Sequence, residues 1–367
     1  MDALSLTARA ETEKIARLLG AEPAQLAFLH GLPPADLRAF REQTVAALFD
    51  SAPDMLHRIA RATKLVPAAV AAVISQRALG PRLSAAVAGR LEPARAGDII
   101  SKLPVSFTAA SCGHLDPRRI RGIVDRLEED LVVRVAVALA ENGDHLTMGR
   151  FVGHLRPTAL KRAIDLIDDV SILRTGYLID HPERIDDILE LLPAERLAAV
   201  IRTAADEALW PQALAVAGMA GERRRGEIAA LAVRQGEERL ASLVHAVQDQ
   251  GLWDALLPVV ALLGDEDRRT VARLPVLQEG DVLRDVVAAV VAAGLWAPFL
   301  PLVRELPEPA RKVVADAAGE LPDAELEAMA HEVEKQDLWE PVMELLELME
   351  DAPKERIFAL PFFQQAS

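Results

Sequence analysis

The stretch ERLASLVHAVQDQGLWDALLPVVALLGD, residues 238–265, decides the fold of this chain. Leu240, Leu243 and Val247 recur at spacings of three and four, which is one face of an amphipathic helix. Gly251 interrupts that face, and a second apolar run begins at Leu252-Trp253 and carries Leu257. The same sentence is written four times. Leu209-Trp210, Leu252-Trp253, Leu295-Trp296 and Leu338-Trp339 stand 43 residues apart and account for all 4 tryptophans. Thirteen residues before each Trp lies Leu197, Leu240, Leu283 or Leu326; six before it lies Ala204, Val247, Val290 or Val333. A fixed period of this size marks a helical repeat array. The spacing predicts an all-α, right-handed helical-repeat superhelix, an α-solenoid without β-sheet.

Each unit is expected to hold a helix, a turn, a second helix starting near the Trp, and a short third helix. Breakers recur at matching places, at Gly221, Gly264-Asp265, Leu306-Pro307 and Asp351-Ala352-Pro353. Proline at helix starts, as in Leu192-Pro193 and Leu321-Pro322, costs nothing because the first turn has no use for its N–H. Trp210, Trp253, Trp296 and Trp339 are expected to fill the core between stacked layers; the alternative is a row of rings lining a groove. Upstream the period loosens. Leu146-Thr147 reads as a degenerate copy of the unit, with Thr147 where the Trp would stand. We divide the chain into an N-terminal helical region (1–85), irregular helical repeats (86–192), four regular repeats (193–352) and an aromatic tail (353–367).

Composition limits the function. Apolar residues are 51% of the chain but aromatics only 4%, which builds a Leu/Val/Ala core and offers few rings for stacking on bases. The net charge of −15 is uneven: residues 201–367 carry 30 acidic and 16 basic side chains, whereas residues 1–200 carry 26 and 25. An acidic array repels phosphate backbones, so nucleic acid is not an expected partner. Arg223-Arg224-Arg225, flanked by Glu222 and Glu227, reads as a solvated corner. The single cysteine, Cys112, suits a reducing compartment, and the N-terminal MDALSLTARAETEKIARLLG has charges where an export signal needs an apolar run. Residues 286–303 are uncharged over 18 positions, the least a membrane span needs. Gly294, Pro298 and Pro301 fall inside them, so two buried helices meeting at a corner are expected instead. Cytoplasmic localisation and no membrane span follow as expectations.

The regular units resemble HEAT/armadillo-type repeats in length and helix count. The middle region, with RLEPARAGDIISKL, HLDPRRIRGIVDRL, HLRPTALKRAIDLI and LLPAERLAAVI, is similar to the cytosolic superhelical N-domain of MgtE-family magnesium transporters. This chain departs from that family in having no transporter-type transmembrane helices. The resemblance implies a cytosolic superhelix whose packing responds to divalent cations or to another macromolecule.

Candidate chemistry is sparse. Asp165, Asp168 and Asp169 would share one face if their segment were a continuous helix, and hard cations such as Mg²⁺ take several oxygens; the bland reading is a solvated acidic face. Glu141, Asp144, His145 and His154 form the densest mixed group but lack zinc-type spacing. Cys112 beside His114 is expected to be a small buried thiol. Phe358, Phe362 and Phe363 either strap the last repeat, as terminal repeats require, or dock on a partner. No phosphate-binding loop or nucleophile motif is present. We therefore expect a non-enzymatic scaffold with a protein partner and no catalytic residues or obligate cofactor. Two alternatives stay open: a carrier enclosing an apolar small molecule, and a Mg²⁺-responsive module.

Overall fold

The Leu-Trp corner adopts one backbone conformation four times. In the computed structural model, which describes residues 3–49 and 53–362, each unit's first helix ends in a residue of positive φ: Ala208 (54°), Gly251 (64°), Gly294 (66°) or Asp337 (55°). The leucine that follows then donates its N–H backward. Leu209 bonds the Ala204 carbonyl at 2.8 Å, Leu252 that of Val247 at 2.9 Å, Leu295 that of Val290 at 3.0 Å and Leu338 that of Val333 at 2.9 Å. A left-handed residue followed by this six-to-one bond is the Schellman ending, which satisfies carbonyls the helix leaves orphaned. The apolar position six before each Trp is thus the residue whose carbonyl closes the turn.

All four units hold three helices. The first helices are Ala194–Asp206, Glu237–Gln250, Gly280–Ala293 and Asp323–Lys335. The second are Trp210–Met219, Trp253–Val260, Trp296–Glu305 and Trp339–Leu348, and the third are Glu222–Val233, Asp265–Ala272, Glu308–Gly319 and Asp351–Phe358. Residues 286–303 fall on two of these helices, broken at Gly294, and no described helix is long and apolar enough to cross a membrane. In all, 25 α-helices and no strands occur among the described residues, so the chain is all-α.

A second periodic device was not anticipated. Arg225, Arg268 and Lys354 lie in the 43-residue register or a multiple of it, and each donates to carbonyls at the end of the second helix. Arg225 reaches Ala217, Gly218 and Ala220, Arg268 reaches Leu263 at 2.7 Å, and Lys354 reaches Glu347 at 3.0 Å. A cation there meets the negative end of the helix dipole. Arg223 and Arg224, by contrast, pair locally with Glu227.

The chain divides into two compact units, Leu4–Arg196 and a second beginning at Leu197. The first is less regular. Helices start where proline permits, at Pro34, Pro53, Pro93 and Pro157, and arginines fasten each layer to the last: Arg156 donates to the Leu127 carbonyl at 3.0 Å and Arg196 to that of Ile167 at 2.5 Å. Helix Glu129–Glu141 closes on left-handed Gly143 (φ 66°), and Asp144 donates its N–H to the Leu139 carbonyl at 2.9 Å. This is the Leu-Trp corner again, but it places His145, not Thr147, where the Trp stands. The two-residue correction arises because Asp144 caps the following helix with its side chain, accepting from the Thr147 N–H. His145 also does what Trp210 does. Trp210 donates from its indole N–H to Ser242 Oγ at 2.9 Å, and His145 Nε2 lies 3.1 Å from Ser171 Oγ, in both cases on the next layer.

Candidate binding surfaces and cavities

Helix Ala3–Leu19 is packed on nearly every side. Leu6, Ala8, Ile15 and Ala16 are buried, as expected of an apolar face, but so are Glu11 (1% exposed) and Lys14 (3%). Their partners come from far along the chain. Lys14 Nζ lies 3.1 Å from Glu11 and 3.0 Å from Asp180, and donates to the Ile179 carbonyl at 3.0 Å. Arg41, from helix Pro34–Phe49, bonds Glu11 at 2.8 Å and Asp180 at 3.1 Å. Burial acts to raise the Asp180 pKa, but Lys14, Arg41 and Arg150 outweigh it and hold the carboxyl below its ordinary range. A close approach makes the cluster possible: Gly149 sits directly under the Leu178 carbonyl, and its own carbonyl accepts the Asp180 N–H at 3.2 Å. Such a network contributes little net stability yet is costly to break by halves, because one removed partner strands a buried charge.

The neighbouring surface is unusually apolar. Of the fifteen large apolar side chains exposed among the described residues, eleven lie between Leu19 and Leu83. Phe28 (75% exposed) stands on the 3₁₀ segment Pro23–Gly31, which buries none of its residues, and Leu65 (87%) stands just after helix Pro53–Lys64. Apolar residues scattered singly on a surface need no explanation; here they are concentrated in one stretch of the chain.

Two cavities lie inside the same unit. The larger, about 270 Å³, is lined by exposed Ala62 and Ile74 and by buried Thr108, Cys112 and Leu115, among others. One wall is the π-helical turn Ser75–Leu79, a rare element that recurs at functional sites. The second, about 120 Å³, shares Thr108 and Cys112 with the first and continues to Leu192. Burial pushes the Cys112 thiol up to about 12, so it stays protonated and un-nucleophilic. In the Leu197 unit a cavity of only about 60 Å³ is found, lined by Trp253 and its neighbours.

The acidic triplet does not form one face. Helix Pro157–Leu166 ends before Ile167, whose backbone is extended, and a new helix, Asp169–Tyr177, follows. Asp165 is exposed on the first helix. Asp168 caps the second, accepting from the Ser171 N–H at 2.8 Å, and Asp169 pairs with Arg196 at 2.9 Å. The condition for a shared face, a continuous helix, is not met: Asp168 serves as a cap, and the cap needs the break. No group of three or more His, Cys, Asp or Glu suited to a metal occurs among the described residues. His154 and His181 meet edge to face, Nε2 to Nε2 at 3.3 Å, and His181 bonds Glu183 at 2.9 Å.

Trp210, Trp253 and Trp296 are buried in the core and Trp339 is half-buried. Phe362 lies against the last unit, its ring 5.8 Å from that of Trp339 and 4.9 Å from that of His331. Phe358 is about half exposed, and Phe363 lies outside the described residues. Sequence reasoning missed Glu11, Lys14 and Arg41 and their convergence on Asp180; the only signal was a Glu and a Lys on the apolar side of an otherwise amphipathic helix. Comparison with protein-family models, curated proteins and solved structures finds no match to this chain.

Proposed function

We propose that this is a cytoplasmic, non-enzymatic helical-repeat protein of HEAT-like, solenoid arrangement that binds a protein partner through the apolar surface of residues 19–83. The observation that carries the reading is the gathering of eleven exposed large apolar side chains in that one stretch. Repeat arrays use extended surfaces to bind, and the acidic repeats from Leu197 onward serve as framework. The test is affinity capture from cell extract with the wild-type chain and a Phe28→Ser, Leu65→Ser variant. A protein retained by the wild type and lost by the variant, at unchanged helix content, supports the reading; equal retention, or none by either, overturns it.

A second reading has its own observation. The cavity of about 270 Å³ approaches the size of small-molecule pockets and is walled almost wholly by apolar side chains, which suits an apolar ligand held inside the Leu4–Arg196 unit.

A further inference from the structure

The chain is acidic overall, yet the segment that supplies much of the larger cavity's wall, including its exposed residues Ala62 and Ile74, is basic. Between Pro53 and Arg95 stand seven Arg and Lys against two acidic residues, Asp54 and Glu92. Arg61 and Lys64 flank Ala62 and Thr63 of the cavity wall, and Arg77 sits within the π-helical turn between Ser75 and Leu79, which also line it. All three are exposed and make no hydrogen bond or ion pair among the described residues. This differs from the arginines nearby that hold the fold together, such as Arg90 on the Phe49 carbonyl and Arg95 on the Thr63 and Val66 carbonyls. The polar groups lining the cavity are uncharged, the hydroxyls of Thr63, Ser75, Ser84, Thr108 and Ser111 and a protonated thiol, and none offers a charge to meet a polar head.

An apolar interior, uncharged lining and uncommitted cations close in sequence to the exposed wall residues fit one ligand chemistry. Resting on the second reading above, we propose that the cavity between helices Pro53–Lys64 and Val105–Cys112 takes a single-tailed anionic amphiphile, tail inward and carboxylate or phosphate head at Arg61, Lys64 and Arg77. The dimensions set the tail. A dry apolar cavity of about 150 Å³ holds a six-carbon ring, so 270 Å³ accommodates roughly ten carbons by the same ratio. Longer chains reach on past Thr108 and Cys112, where the second cavity begins. An isolated carboxylate does not enter such an interior, because desolvation without a partner is too costly, so the head stays at the cations.

The test is isothermal titration calorimetry on the full chain with decanoate, decyl phosphate, decanol and octanoate. One decanoate or decyl phosphate per chain is expected, about tenfold tighter than decanol at low salt and converging on it at high salt; the tighter of the two heads identifies a fatty acid or a phospholipid fragment as the source. Octanoate should bind about fifteenfold more weakly than decanoate, since each buried methylene is worth about fourfold. Replacing Arg61, Lys64 and Arg77 by Gln should abolish the preference for the anions and leave decanol unchanged. Ala88→Leu, which fills the cavity from its wall, should remove all binding while the melting temperature holds or rises. Decanol binding as tightly as decanoate, with no effect of the Gln variant, overturns the anionic head but spares the cavity reading. If no probe binds, the cavity reading fails with it. Binding only to anionic vesicles, with none to the monomeric probes, also overturns the proposal.

Discussion

The two units of this molecule are built from the same three-and-four spacing of apolar residues, yet they use polar groups in opposite ways. Eleven polar or charged residues are buried as whole residues among those described, and all, including Glu11, Lys14, Arg41, Asp116 and Arg150, lie in Leu4–Arg196; from Leu197 onward only parts of such side chains are buried, as at the Asp254 carboxylate. The apolar surface is divided just as unevenly. Among the described residues, only Leu262, Met343 and Phe358 are large, apolar and exposed in the second unit, against twelve in the first. A regular repeat closes its turns with backbone bonds and fills its layers with one Trp each, leaving nothing over. The irregular unit spends buried charge to hold a helix inside it and leaves cavities and apolar surface uncovered. The difference is one of construction: layers closed by backbone bonds in one unit, buried charge and larger cavities in the other.

Substitutions can break this contrast. Trp253→Ala removes a buried ring from the repeat core and should destabilise the second unit by about 3–5 kcal/mol in denaturant titration. Trp339→Ala, at a half-buried position in the last unit, should cost about half as much. In the first unit, Lys14→Met leaves Glu11 and Asp180 short of a cation and should cost about 3 kcal/mol, a loss no side chain of the second unit can reproduce by charge alone. Gly149→Ala drives a methyl into the Leu178 carbonyl and should cost roughly 3 kcal/mol by lifting the loop that carries Asp180.

Acid sharpens the comparison with a smaller effect. His30, His114, His145 and His154 all lie in the first unit, and burial, the largest cause for each, holds them below their ordinary value. A histidine depressed in the folded state binds its proton more readily once unfolded. Stability is therefore full above about pH 6.5 and falls as the pH drops below it. Hydrogen exchange at pH 7 and pH 5.5, corrected for intrinsic rates, should show opening in residues 105–181 at the lower pH before the repeats respond. Ala208→Gly should act in the opposite direction and least of all. Ala208 is held at φ 54° where Gly251 and Gly294 serve in the equivalent turns, so relieving it should stabilise the first repeat by about 0.5–1 kcal/mol.

How much of this could be read from sequence follows the same division. The second unit was legible because its determinants are local and repeated: the apolar stripe, the turn and the Leu-Trp corner recur in one register. Even there the capping cations at Arg225, Arg268 and Lys354 escaped notice, since scattered basic residues blend into a charged surface. The first unit was legible only as helices with proline starts. Lys14 and Asp180 are 166 positions apart in sequence and leave no periodic trace. His145 was hidden because the corner keeps its backbone while exchanging Leu-Trp for Asp-His. The cap within the acidic triplet was hidden for a related reason: Asp168 reads as one more carboxylate until the helix is seen to stop and restart at it.

The most direct test of the division between framework and binding unit is hydrogen–deuterium exchange on the full chain with and without its captured partner. The account predicts slowed exchange within residues 19–83 and none across the four Leu-Trp repeats. Protection confined to residues 197–358, with residues 19–83 unchanged, would contradict it.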